Sequence, residues 1–559
     1  MQLLPRILRA IVASFAVLLL STLLPAPATA QAYAGRPKLI VIVVIDQFRG
    51  DYLNRDRAEF KGRGFRLFTE EGAWFTDCYY DYANTKTAPG HATIGTGAYT
   101  DGHGIETNEW WDASRSFEKK VTSVEDERYQ LVDLPAASLS DPDNKAASPR
   151  NLRATTLGDE LRLATQGRSR VFGISLKDRA AILPAGQAAN GAFWIDHVSG
   201  QFTTSTYYME HLPLWAREFN KSGPAKAAGK AGVKIKKSFY DEVGITPTAN
   251  SYELDFAQAL ITGEKLGRNG VTDLVVVSLS ANDIQGHQNG PDSDSEERMI
   301  QSLDRDLNGF VSWLDQSIGL QNVWLALTAD HGTAPVPREA AKLGIHSGVV
   351  NTRTVYASLN AKLNERYTPG KQVSYLMPGP DLPYIVLDRR AFEKAEVDEK
   401  AAEDIVASLL PQAVADQTPQ PDAHLPAQHR LPPAPQVAAV YTRLELAHGH
   451  LPPSEWGHLL AHSYTEHGNW FVMLVLGAYQ MEDFHGSTVT THFTPWSYDR
   501  HVPLAFYGAP FRPGEYHGRV APVDLAATLA SLVGINQPSA AVGRVLTEAI
   551  KPIKQAATQ

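Results

Sequence analysis

Cysteine is nearly missing from this chain: Cys78 is the one sulfhydryl in 559 residues. A disulfide scaffold or a thiolate metal cluster needs several sulfurs, so both are excluded, and Cys78 is expected to be a buried thiol. No fixed repeat period is present, which removes solenoids and propellers. Basic residues are outnumbered by acidic ones, 52 to 61, for a net charge of -9. Neither a nucleic-acid-binding surface nor an anionic membrane contact is expected, because each needs a basic face. What remains is an ordinary globular composition, 43% apolar and 20% charged, with 18 histidines. Any metal must therefore sit on Asp, Glu and His. An anionic substrate would need local positive charge, from metal ions or from a few placed Lys and Arg.

Long apolar runs are confined to the N-terminus. Arg6 and Arg9 precede an apolar stretch from Ala10 to Leu24, followed by Ala28-Thr29-Ala30. That order is the one of a secretory signal, and the run falls short of the ~20 residues of a spanning helix. Residues 1–30 are read as a signal peptide, with cleavage before Gln31. The remainder would carry 50 basic and 61 acidic residues, a charge of -11. The expectation is a periplasmic or secreted protein, off the membrane after cleavage, and a monomer.

Six apolar runs read as strands: Lys38 to Asp46, Arg170 to Lys177, Asp273 to Asp283, Val323 to His331, Trp470 to Leu476 and Val502 to Gly508. Continuous apolar character marks strands buried on both faces. Ile300, Leu303, Leu307, Phe310 and Leu314 form one helical stripe between them, and Leu525, Leu529 and Leu532 another. Strands alternating with amphipathic helices imply an α/β fold, a doubly wound and mostly parallel sheet sandwiched by helices, with ligands beyond the carboxyl strand ends. Residues 31–559 are read as a single such domain. Segments at about 185–250 and 340–465 depart from the pattern and are read as insertions capping the sheet. The first holds a Lys-rich patch from Lys226 to Lys237, the second His424 and His429 in a Pro-rich loop, all read as surface residues.

Several strand ends carry metal-ligating residue types. Asp46 closes the first run, Asp283 and His287 stand four apart after another, and Asp330-His331 end a third. Carboxylate and imidazole together are what Zn²⁺ accepts without thiolates, and six such ligands suffice for two ions.

The segments TKTAPGHATIGTG (Thr85 to Gly97), Asn108 to Trp110, SLKDRA (Ser175 to Ala180), SANDIQGH and LTADHG together resemble the alkaline phosphatase superfamily. Within it, the chain is most similar to bacterial PafA-type alkaline phosphatases with a threonine nucleophile. The resemblance runs from about residue 38 to 545. It implies one zinc held by Asp46, Asp330 and His331, and a second held by Asp283, His287 and His492. At the last position the family pattern T-H-G-S-P is replaced by THFTP, with Phe493-Thr494 for Gly-Ser. His492 is chosen for its spacing to Tyr498, Asp499 and His501; His485, in an HGS triplet, is the alternative.

Thr87 is the nucleophile the resemblance implies, and Asn108, Lys177 and Arg179 would contact the substrate's nonbridging oxygens. Lys177 and Arg179, at spacing two on a strand, would lie on one side of it. Thr87 by itself reads more readily as a helix N-cap, a position compatible with the nucleophile's role. His91, His103 and His501 are read as structural. The expected activity is hydrolysis of small-molecule phosphate monoesters through a phosphothreonine, releasing inorganic phosphate. The alternative is a phosphodiesterase or nucleotide pyrophosphatase on the same fold. A sulfatase fails, because Cys78 is followed by Tyr79-Tyr80-Asp81-Tyr82 and not by the required Pro and Arg.

Overall fold

The computed structural model describes residues 35–112, 119–142, 144–379, 382–416, 436–449, 451, 454–466, 469–483 and 487–552. The signal segment 1–30, His424, His429 and His485 lie outside the described residues.

Nine strands build the main sheet: β1 (Leu39–Ile45), β2 (Ala73–Phe75), β3 (Val171–Ile174), β4 (Gly191–Ile195), β5 (Phe202–Thr203), β6 (Asp273–Leu279), β7 (Val323–Thr328), β8 (Leu504–Tyr507) and β9 (Gly514–Tyr516). Their order is β9-β2-β8-β7-β1-β6-β3-β4-β5. Strand β1 is central, parallel to β6 and β7, with Ile45 opposite Leu279 and Val44 opposite Thr328. Strand β8 runs antiparallel to both β2 and β7, and β5 antiparallel to β4. Every residue of β1, LIVIVVI, is buried, as a strand covered on both faces requires. The helix Asp294–Ile318 covers part of the sheet with a buried stripe that includes Ile300, Leu303, Leu307, Phe310 and Leu314. Burying one such side chain stabilises the fold by roughly 1.5–3 kcal/mol. The Ser293 hydroxyl starts this helix by accepting from the Glu296 N–H at 3.2 Å.

Two expectations need correction. Trp470 to Leu476 does not join the main sheet. Phe471–Leu476 is the middle strand of a separate antiparallel sheet, between Tyr384–Val386 and Val437–Thr442. It is apolar throughout because it faces a second core, built with the helices Thr352–Tyr367 and Glu399–Ala415, on one side and Phe493 and Leu460 on the other. The region 185–250 is also more than a cover. It supplies β4 and β5 to the sheet edge and the helix Leu214–Ala231 packed on the main core.

Candidate active site

Three neighbouring parallel strands end at the same level, and the residue that leaves each is polar. Past β1, the Asp46 N–H donates to Leu279 O at 3.0 Å, extending the ladder by one step. Past β6 the chain enters the helix Ala281–Asn289, where Asp283 and His287 fall on successive turns of one face. Past β7 come Asp330 and His331. His492 arrives from the C-terminal region and is fixed by its Nδ1, 2.5 Å from Thr85 O.

The fold gathers these six residues into two groups, Asp46–Asp330–His331 and Asp283–His287–His492, each with ligand atoms within 4.8 Å of one another. In the first, His331 Nε2 lies 3.4 Å from Asp46 Oδ1 and 3.5 Å from Asp330 Oδ2. All three of those atoms are buried and lack a hydrogen-bond partner among the described residues. Orphaned polar atoms are costly inside a protein, about 1–3 kcal/mol each, and three of them converging fit a divalent cation. In the second group His287 Nε2 is 3.2 Å, and His492 Nε2 3.8 Å, from Asp283 Oδ1. The His331 and His492 rings stack at 3.6 Å, which brings the two groups side by side.

All three histidines are oriented by the same device. Each Nδ1 faces a backbone carbonyl: His331 that of Gly332 at 2.9 Å, His287 that of Thr490 at 2.9 Å, His492 that of Thr85. A carbonyl only accepts, so Nδ1 carries the proton and the Nε2 lone pair points at the carboxylates, as in a metal-ligating imidazole.

Charge in the site is divided unevenly. Lys177 Nζ sits 2.5 Å from Asp46 Oδ2 and 2.6 Å from Asp283 Oδ2, one ammonium between the two groups. Burial opposes the lysine charge, but Asp283 and Asp46 outweigh it and raise the Lys177 pKa. Burial, then Asp283 and Asp330, push Asp46 well above the usual carboxylate range. Burial acts likewise on Asp283, yet Lys177, His287 and His492 hold it well below that range. Asp330 is held low against burial by His331 and His91. Burial pushes His331 and His492 down, toward the neutral imidazole a metal requires. Three buried carboxylates against one ammonium leave a site that attracts further cations.

Thr87 opens the helix Thr87–Thr96, with Lys86 at the N-cap, so the N-cap reading of Thr87 is corrected by one position. The Asn108 side-chain oxygen accepts from the Ala88 N–H at 2.9 Å, placing Asn108 at the N-terminus of this helix. Thr85 is excluded as a free hydroxyl: it donates to Thr494 O and accepts from the Phe493 N–H, both at 3.1 Å. Lys177 and Arg179 do not extend a strand. Strand β3 ends at Ile174, Lys177 is the N-cap of the helix Asp178–Ala185, and Arg179 lies in its first turn. Their side chains part accordingly, Lys177 into the carboxylates and Arg179 to a cavity of about 850 Å³ that Asn108 also lines.

Two residues escaped the sequence reading, Gln47 and Glu253, and His91, read there as structural, supports the site in that role. Gln47 follows Asp46 with a left-handed φ of 61°. Its N–H donates to Asp330 Oδ1 at 3.1 Å and its side-chain amide to Asp283 Oδ1 at 2.7 Å, so one residue spans both groups. His91 lies 3.3 Å from Asp330 Oδ2, and its Nδ1 is 2.8 Å from Thr87 O, tying the Thr87 helix to the first group. Glu253 accepts from the Leu176 N–H at 2.7 Å and the Ser280 N–H at 3.2 Å, pinning the turns that carry Lys177 and Asp283. Adjacency to Asp46 was the only signal for Gln47; Glu253 left none.

Residues 40–459 match the family model described as type I phosphodiesterase / nucleotide pyrophosphatase. An alkaline phosphatase of Synechococcus elongatus, PhoV, is 31% identical over 92% of this chain and 94% of its own length. The alkaline phosphatase PafA of Elizabethkingia meningoseptica is 32% identical over 92% of this chain and 95% of its own. A crystal structure of PafA superposes with a TM-score of 0.79 at 30% identity, covering 92% of this chain and 99% of that one. With its large, mostly parallel sheet shared with that structure and its sequence matched over nearly the whole length, this chain belongs to the type I phosphodiesterase / nucleotide pyrophosphatase family of the alkaline phosphatase superfamily, as a phosphatase enzyme.

Proposed function

We propose that the protein is an exported, metal-dependent hydrolase of phosphate monoesters that works through a phosphothreonine at Thr87. The observation that supports it most directly is the pair of Asp/His groups joined across the Lys177 ammonium. Asp46, Asp330 and His331 would hold one ion, and Asp283, His287 and His492 the other; zinc suits this donor set. When bound, two such ions supply Lewis acidity to an in-line displacement, at the attacking hydroxyl and at the leaving oxygen.

The chain's own residues would do the rest. Thr87, first in its helix, places its hydroxyl where free backbone N–H groups and the partial positive helix end favour an anion. Asn108, anchored to the Ala88 N–H, presents its amide N–H₂ to a nonbridging oxygen. Lys177 and Arg179 would supply two further donors, and the loose transition state of phosphoryl transfer makes such placed charge the main source of rate. A monoester dianion offers three nonbridging oxygens to these donors, a diester only two, so the Asn-Lys-Arg set favours monoesters.

The family description favours a second reading, a phosphodiesterase. Turnover of p-nitrophenyl phosphate against bis(p-nitrophenyl) phosphate separates the two, and faster diester hydrolysis would displace the monoesterase. The same preparation, assayed for bound metal and as Thr87→Ala, tests the mechanism: loss of at least about 10³-fold in kcat is expected for removal of a nucleophile. Activity that survives both chelation and Thr87→Ala overturns it.

A further inference from the structure

The cavity of about 850 Å³ that reaches Asn108 and Arg179 is walled on its other sides by Thr352, Arg353 and Asn360 of the helix Thr352–Tyr367, and by Glu482 and Asp483. A space of that size holds a drug-sized or nucleoside-sized group. If Asn108 and Arg179 take the transferring phosphoryl group, the remaining volume is where the leaving group sits.

Its charges are not equally available. Each carboxylate on the wall already has a partner: Glu109 holds Lys120 at 3.1 Å, Glu482 accepts from the Leu382 N–H at 3.3 Å, and Asp483 from the Asn351 amide at 3.3 Å. Among the cations, Lys120 is spent on Glu109, and Lys86 lies over the Phe493 ring at 4.0 Å. Among the described residues Arg179 has only Asp178 at 3.8 Å, and its buried Nε has no hydrogen-bond partner. Arg353 is exposed and makes no ion pair or hydrogen bond with the described residues. A guanidinium is weakly hydrated for a cation, so an unpaired one gives up little on meeting a phosphate or carboxylate, and its planar fork matches either.

We propose that Arg353 is the distal half of a leaving-group site, and that the enzyme prefers monoesters whose leaving group carries a second anionic group, a phosphate or carboxylate. The inference rests on the monoesterase reading above. The test uses α,ω-alkanediol bisphosphates of increasing chain length, each against the alkyl monophosphate of the same length. Counted per scissile phosphate, the native enzyme is expected to favour the bisphosphate in kcat/KM by roughly twofold to fivefold at one or two lengths, the effect of one exposed ion pair. That preference should vanish in Arg353→Ala, reverse in Arg353→Glu, and shrink in 0.5 M salt, while the alkyl monophosphates are turned over as before. Because Arg353 is exposed on a helix, its replacement leaves the fold intact, and the alkyl monophosphate rate monitors this. Equal preference in native enzyme and Arg353→Ala overturns the leaving-group site and leaves the monoesterase standing. Failure of every monoester to turn over overturns both.

Discussion

Lys177 occupies the point where the charges of Asp46 and Asp283 meet, and its removal is the sharpest electrostatic change available. In chelator, Lys177→Met takes from both carboxylates the ammonium that they share, and breaking a buried pair in this way costs roughly 3–5 kcal/mol. The urea midpoint in EDTA should fall accordingly, and added zinc should narrow the gap to the parent chain; an unchanged midpoint would show that the ammonium carries no such burden. Gln47 acts differently, since its backbone N–H holds Asp330 and its side-chain amide holds Asp283. Outer-shell partners of this kind typically contribute about 10–100-fold to metal affinity. Gln47→Ala should weaken zinc retention by that factor in a competitive chelator titration, with far-UV circular dichroism unchanged.

Helix and strand ends set the positions from which these side chains reach. Gly90, one turn into the Thr87–Thr96 helix, lies so close to Asp330 that a Cβ would overlap the Asp330 carbonyl oxygen and Cβ. Neither is the end of a flexible side chain, so in Gly90→Ala the helix must shift away from the first Asp/His group. A displacement on the order of 1 Å can cost ~10²-fold in rate, and kcat for p-nitrophenyl phosphate should drop by that amount while the protein stays folded. Glu253→Ala tests the opposite end of the assembly. It strips two backbone N–H groups of their acceptor, each at about 1–3 kcal/mol, and the melting temperature should fall steeply. Asp46, Asp283 and Asp330, each just past the end of a strand, were readable in the sequence because a polar residue after a two-face apolar run has one place to go. The same rule misplaced Trp470 to Leu476, since apolar continuity reports burial on both faces and not which sheet provides it. Lys177 and Arg179 were set on one side by extending the pleat of β3 past its end at Ile174, where helical geometry takes over. Strands β4 and β5 were passed over because they are short, five and two residues, although every residue of both is buried.

The molecule as a whole has a buried acid whose titration should be visible in its stability. Burial holds the Glu296 pKa at about 8 against an ordinary 4.5, and both its oxygens lack partners among the described residues. Below pH 4.5 the acid is protonated in folded and unfolded chains alike and the fold keeps its full benefit. As pH rises toward 8, the unfolded chain ionises first, so stability is lost across that window, on the order of a few kcal/mol. Glu296→Gln cannot ionise; its melting temperature should match the parent near pH 4.5 and exceed it near pH 8.5, and parallel curves would refute the assignment. A last consequence follows from the adjacency of β7, β1 and β6. Asp46, Asp283 and Asp330 are far apart in the chain and become neighbours only when these three strands pair. Each ion would draw its ligands from segments that only the fold unites, Asp46 with Asp330 and His331, Asp283 and His287 with His492, so it finds its full ligand set only in the folded chain and adds RT ln(1 + [L]/Kd) to the stability of that state alone. The amount of this enzyme that survives proteolysis would then track the supply of metal around it, making its abundance a record of the ions it meets.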